Sequence, residues 1–142
     1  MRYTHLLVAV AVAPESQRLL EKAITIARPL NARISLITLA ADPELYNHFA
    51  GPMLENIREV MHEETRIFLD KLIEKADYPV GQTFICYGEL SEHVLNVCRK
   101  HDVDLVVCGN HNHSFFSRAS CSAKSVVSSS QADVLLVALA GD

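Results

Sequence analysis

The chain has 142 residues, enough for one domain with a sizeable core, and its 49% hydrophobic and 21% charged residues mark a globular chain, not a disordered one. Thirteen Lys and Arg against 17 Asp and Glu leave a formal charge of -4, so no bulk attraction draws it to DNA, RNA or an anionic membrane. The apolar runs are strand-sized, and Met1, Arg2 and Tyr3 lead into strand patterning without a signal-peptide core, so a cytoplasmic location is expected.

His5 to Val12, HLLVAVAV, is apolar almost throughout and predicts a buried strand. Pro14 suits a first helical turn, and Leu19, Leu20, Ala23, Ile24 and Ala27 recur at helical spacing, predicting a helix from about Pro14 to Arg28 that Pro29 stops. Asn31 and Ala32 turn the chain into Arg33 to Leu39, a β-branched and leucine-rich second strand. Strand, helix and strand in succession form a βαβ unit, expected to cross over right-handedly.

Ala40 to Pro52 holds Pro43, Gly51 and Pro52 among mixed residues and reads as an irregular connection. A longer helix is predicted from about Met53 to Lys75, with Leu54, Ile57, Met61, Phe68 and Leu72 as its apolar stripe. Off that stripe Glu63 attracts Arg66 and Arg66 attracts Asp70, while Glu59 repels Glu63, which suits a solvated outer face. Asp77 to Gly81 is a turn, and Thr83 to Tyr87 is a third strand ended by Gly88. Ser91, Val94, Leu95 and Cys98 set the inner stripe of a third helix through about His101.

Leu105, Val106, Val107 and Cys108 form an uninterrupted apolar run, and Gly109 follows at once with a polar segment. This reads as a strand buried on both faces that ends abruptly in a loop. In open α/β sheets such loops, beside the point where strand order reverses, are where ligands bind. Ser117 to Ser130 is serine-rich yet carries Ala119, Ala123, Val126 and Val127, enough for a short helix. Asp133 to Leu139 is the fifth strand. Five strands alternating with four helices give one three-layer α/β domain over residues 1–142, with a parallel sheet.

The blocks HLLVAVAVAPESQRLLEKAITIARPLNARISLITL, YGELSEHVLNVCRKHDVDLVVCGNHNHSFFSR and ADVLLVAL resemble, in order and across the whole chain, the universal stress protein family and its bacterial A-type branch. The resemblance implies a Rossmann-like five-stranded sheet of order 3-2-1-4-5, and a homodimer built by pairing the last strands. It further implies a role in stress adaptation through an unidentified protein partner, with heterodimers among paralogues left open.

Nucleotide-binding members of the family resemble the pattern G-x-x-G, nine residues, then G-[S/T], with an Asp ending strand one. Glycines there let backbone N–H groups close on phosphates at a helix N-terminus. Here Gly109 matches the first glycine, but Asn112 stands at the second, Ser122 at the third and Ala123 after it, and the strand-one Asp position is Ala11. Asn tolerates a positive φ at modest cost, but Ser122 adds a Cβ at a close approach and Ala11 removes a polar anchor. Losing several contacts of roughly 1 to 3 kcal/mol each predicts no tight ATP binding and no resident cofactor. Two alternatives stay open: a nucleotide switch or weak ATPase using this variant loop, and a small-anion sensor using Ser117 and Arg118.

Other chemistry is thinner. Cys86, Cys98, Cys108 and Cys121 form no C-x-x-C pair and read as buried free thiols. His111 and His113 have no Asp, Glu or Cys at ligand spacing, so no metal site is expected. Ser91, Glu92 and His93 are consecutive in a helix and fan around its axis, while Glu15 and Glu89 are acidic residues expected at helix starts, so no catalytic set emerges and the protein reads as a non-enzyme. The last strand is apolar and free of proline. If it is an edge, Val134, Leu135, Leu136, Val137 and Ala138 make it a hazard unless paired, which gives dimerisation a physical motive.

Overall fold

The computed structural model describes residues 3–39, 51–87, 90–110 and 132–138, with backbone alone at 39, 51–58, 90, 91 and 110. In chain order the elements are β1 (His5–Val10), α1 (Ser16–Leu30), β2 (Arg33–Leu39), α2 (Gly51–Lys75), β3 (Gln82–Cys86), α3 (Leu90–His101), β4 (Leu105–Asn110) and β5 (Asp133–Ala138). The predicted helix over Ser117 to Ser130, and Leu139 of the predicted fifth strand, lie outside the described residues.

The sheet has five strands in the order β3-β2-β1-β4-β5, and every pairing is parallel, as expected. The central strand β1 is buried at all six positions. Alternation divides its residues between two cores. Leu6, Val8 and Val10 pack with Leu19, Leu20, Ala23 and Ala27 of α1 and with Leu69 and Leu72 of α2. Leu7 and Ala9 pack with Val94, Val97 and Cys98 of α3. The continuous apolar runs of β1, β2 and β4 follow from this, because each face of the central sheet is covered.

Four expectations need correction. Pro14 does not begin α1: Ser16 N–H bonds to Ala13 O at 3.1 Å and Gln17 N–H to Pro14 O at 3.2 Å, forming a lead-in turn before the helix proper. Pro29 does not end α1 either: it lies inside the last turn, where it costs the one ladder bond its missing N–H would have made, and the helix runs on to Leu30. The stop is Asn31, left-handed at φ 54°, with its N–H on Arg28 O at 3.2 Å and the Ala32 N–H on Ala27 O at 3.1 Å. Those bonds satisfy the last carbonyls of the helix. Asp102, also at φ 54°, ends α3 in a similar way, with the Val103 N–H on Cys98 O at 3.2 Å.

The third correction concerns α2. Its inward stripe is Thr65, Leu69 and Leu72, with Met61 and Phe68 half-buried. Thr65 fits because its hydroxyl donates to Met61 O at 2.8 Å, so no polar group is orphaned. Leu54 and Ile57 of the predicted stripe have side chains outside the described set. The outer face carries the expected ion pairs, Arg66 to Glu63 at 2.5 Å and Arg66 to Asp70 at 2.7 Å. Lastly, β4 does not stop before Gly109: the ladder pairs Gly109 with Val137 and Asn110 with Ala138.

Candidate functional site

Strand order reverses between β1 and β4, since β1 leads through α1 to β2 on one side while β4 pairs on the other. Their carboxyl ends therefore frame the crevice where a sheet of this kind takes ligands. Ala9 stands beside Cys108 in the ladder, which places Ala11 and Gly109 at its two lips.

The β1 lip is closed by a side chain from α1. Ser16, fully buried in the first turn of α1, accepts the Ala11 N–H at 3.1 Å and donates its hydroxyl proton to the Ala11 carbonyl. Ala13 N–H adds a second bond to Ala11 O at 2.9 Å. Every backbone polar group of Ala11 is thus taken up within the turn, and its methyl side chain offers no further one. Val12 beyond it is 53% exposed and brings only an apolar surface to the mouth. Glu15 is the N-cap residue of α1 but makes no side-chain cap hydrogen bond.

The β4 lip is a strand end, not a flexible glycine turn. Gly109 is buried within the ladder, held against Val137 of β5. Asn112, Ser117, Arg118 and Ser122 lie outside the described residues, as do His111, His113, Ala123, Cys121 and Glu89. Of the residues marked for the phosphate pattern, the structure places Ala11 and Gly109 alone.

Elsewhere at the carboxyl end of the sheet, Glu59, His62, Glu63 and Tyr87 line an open depression of about 290 Å³. It lies past the end of the outer strand β3, with β2 between that strand and β1, so it is not the crevice. The Tyr87 hydroxyl sits 3.3 Å from His62 Nδ1, and the Tyr87 carbonyl 2.8 Å from His93 Nε2. Thr38 of β2, in register with Val10, is fully buried and its hydroxyl has no hydrogen-bond partner among the described residues. Among the described residues no group of three or more His, Cys, Asp or Glu could hold a metal ion.

Cys86, Cys98 and Cys108 are free thiols gathered on the α3 side of the sheet. Burial pushes the Cys98 thiol up to about 11 and the Cys108 thiol up to about 12, and raises Cys86 as well. Thiols so far from ionisation are poor nucleophiles and metal ligands at neutral pH.

Sequence reasoning passed over Ser16 and His5, because each acquires its partners only through the fold. A serine two residues after a proline, six beyond the end of an apolar strand, was the available signal for the first.

At the far edge of the sheet β5 is bonded, among the described strands, to β4 alone. Val134 and Leu135 are half-buried, Val137 is buried, Ala138 is exposed, and Leu136 is 49% exposed. The apolar strand expected at an edge is at an edge. No helix among the described residues is long and apolar enough to cross a membrane.

The profile of the universal stress protein family matches residues 2–138. The sequence blocks point within the A-type branch to universal stress protein C, and the protein of that name from Salmonella typhimurium is 75% identical over 142 residues, covering all of both chains. Among solved structures, a universal stress protein from Lactobacillus plantarum superposes with a TM-score of 0.72 at 18% identity, covering 96% of this chain and 99% of that one. One from Archaeoglobus fulgidus, in complex with dAMP, gives 0.64 at 16% identity over 96% and 99%. These last two likenesses concern the fold. With its profile match, its curated relative and its strand order in agreement, this chain belongs to the universal stress protein family.

Proposed function

We propose that the protein is a cytoplasmic, homodimeric stress-adaptation factor that works through protein partners, without tight adenine-nucleotide binding and without turnover. Family membership supports the stress-response role itself. The observation that carries the finer reading is the closed β1 lip: Ser16 satisfies both backbone groups of Ala11, and position 11 itself carries no carboxylate to hold a ribose or base. Asn112, Ser122 and Ala123 at the positions where nucleotide-binding relatives have Gly, Gly and Ser or Thr point the same way. Calorimetric titration with Mg-ATP tests this, and saturable micromolar binding would overturn it.

The homodimer rests on β5. Its outer N–H and C=O groups have no strand partner among the described residues, and its sequence lacks the proline that commonly protects an edge. Pairing with the same strand of a second copy satisfies both edges by one two-fold operation.

A second reading is an adenine-nucleotide switch, favoured by the dAMP-bound relative from Archaeoglobus fulgidus, whose fold this chain shares. It requires the segment after β4 to hold phosphate through Asn112 and Ser122 despite their side chains. The same titration separates the two.

A further inference from the structure

The sheet has a second edge, opposite β5, and it lies beside an acidic stretch of α2. Among the described strands β3 is bonded to β2 alone, so along Gln82–Cys86 one row of backbone N–H and C=O groups has no strand partner there. The strand holds no proline and no charge; Gln82 and Thr83 are exposed, and Phe84, Ile85 and Cys86 are half-buried. Such an edge is a template on which a further extended segment pairs through its main chain.

Immediately past the strand end the chain builds a recess. Tyr87 is held from both layers: His93 of α3 donates from Nε2 to the Tyr87 carbonyl at 2.8 Å, and His62 of α2 stacks on the Tyr87 ring, with centroids 6.5 Å apart and Nδ1 3.3 Å from the hydroxyl. With Glu59 and Glu63 these two rings line the depression of about 290 Å³. An aromatic ring with carboxylates beside it suits an ammonium or guanidinium group.

Charge decides the kind of guest. Residues 59–70 carry four carboxylates against one cationic side chain, Arg66. Arg66 already pairs with Glu63 and Asp70, whereas Glu59 is exposed and has no ion-pair partner among the described residues. On the same outer face Val60 is 58% exposed and Ile67 42%, one on each side of Glu63 at helical spacing, which adds apolar contact next to the recess. A second copy of this chain does not match it. Of the two edge strands that copy would offer, β3 is uncharged and β5 carries only Asp133, so neither brings a cation.

We propose that β3 and the recess at its end form one docking site for an extended basic segment of a partner protein. The segment pairs with the outer edge of β3 and sets an arginine or lysine against Glu59, Glu63 and the Tyr87 ring. The main chain then supplies affinity and the recess supplies selectivity. This rests on the reading that the protein works through protein partners, and it names the surface and the chemistry that they use. It leaves β5, at the opposite edge, free for the homodimer.

Labelled octapeptides read by fluorescence anisotropy test this on the full chain. One alternates valine and arginine, a second alternates valine and glutamate, and a third keeps the arginines but is N-methylated along the backbone edge that would face β3. The first should bind saturably, and the other two about tenfold more weakly or worse. Glu59→Gln, an exposed change, should weaken the first roughly two- to fivefold, the worth of one exposed ion pair. Amide NMR shifts on adding that peptide should gather at Glu59–Glu63 and Gln82–Tyr87 and spare Val134–Ala138. No binding of the arginine peptide, equal binding of the glutamate or methylated one, no effect of Glu59→Gln, or shifts centred on β5 would overturn the site. So would β3 shifts that appear on concentrating the protein alone, since a second copy would then cover that edge. Capture from stressed-cell extract separates the site from the reading beneath it. Identical proteins retained by wild type and Glu59→Lys would overturn the site and keep the partner reading; nothing retained by wild type would overturn that reading, and the site with it.

Discussion

Replacing Ser16 by alanine tests the closure of the β1 lip most sharply. The hydroxyl is fully buried and serves the Ala11 N–H at 3.1 Å and the Ala11 carbonyl together. Removing it orphans a buried N–H outright, at about 1 to 3 kcal/mol, while the carbonyl keeps its bond from Ala13 N–H and loses less. Alanine returns roughly 0.5 kcal/mol as the better helix former. The net expectation is a loss of about 2 kcal/mol, or roughly 4 to 8 °C in Tm for a chain of this length. Urea unfolding at fixed protein concentration measures it, since the stability of the proposed dimer would depend on concentration. Thr25→Ala is the matched control: its hydroxyl also donates to a backbone oxygen, Glu21 O at 3.0 Å, but on the exposed face of the same helix. Equal midpoints for the two variants would refute the claim that Ser16 closes the lip.

Leu136→Asp puts a charge at the exposed position of the edge strand β5, and sedimentation velocity should show monomer or aggregate; an intact dimer would remove β5 from the interface. Arg66→Ala breaks the contacts to Glu63 and Asp70, yet all three side chains are about half-exposed, so the urea midpoint should not move measurably. A clear drop would mean that this network holds α2 in place. Cys98 and Cys108, whose thiols burial pushes up to about 11 and about 12, should resist iodoacetamide in the native protein near neutral pH and react once it is unfolded. Rapid native labelling would contradict their placement in the core beneath α3.

What the sequence disclosed follows from what each signal depends on. The apolar runs of β1, β2 and β4 were legible because strands covered on both faces need no alternation, and the edge position of β5 came with the family's strand order. The ion pairs of Arg66 were legible because they depend on helical spacing alone. Pro29 misled because so near the helix end it removes a single ladder bond with only one helical residue to follow, and the true stop, Asn31 in the left-handed region, has a weaker signature than glycine. Thr65 disguised the inward stripe of α2, since a polar residue enters a core once its hydroxyl finds a backbone acceptor. Gly109 read as the start of a loop because its partner, Val137, stands 28 positions further along the chain. The buried His5 ring is bonded to Ser35 and to the His101 carbonyl, 30 and 96 positions away, which no local pattern reveals. Of the candidate phosphate site, the absences at Ala11 and Ser122 were plain in the sequence; the occupation of Ala11's backbone by Ser16 was not.

The central claim is that the crevice between β1 and β4 no longer serves a nucleotide. Isothermal titration of the purified protein with Mg-ATP, carried to millimolar ligand, tests it most directly. The account predicts no saturable heat, because the Ala11 backbone is already bonded and the loop positions carry side chains where phosphate needs bare backbone. Saturable binding in the micromolar range would contradict it and make Asn112, Ser122 and Arg118 the residues to mutate next.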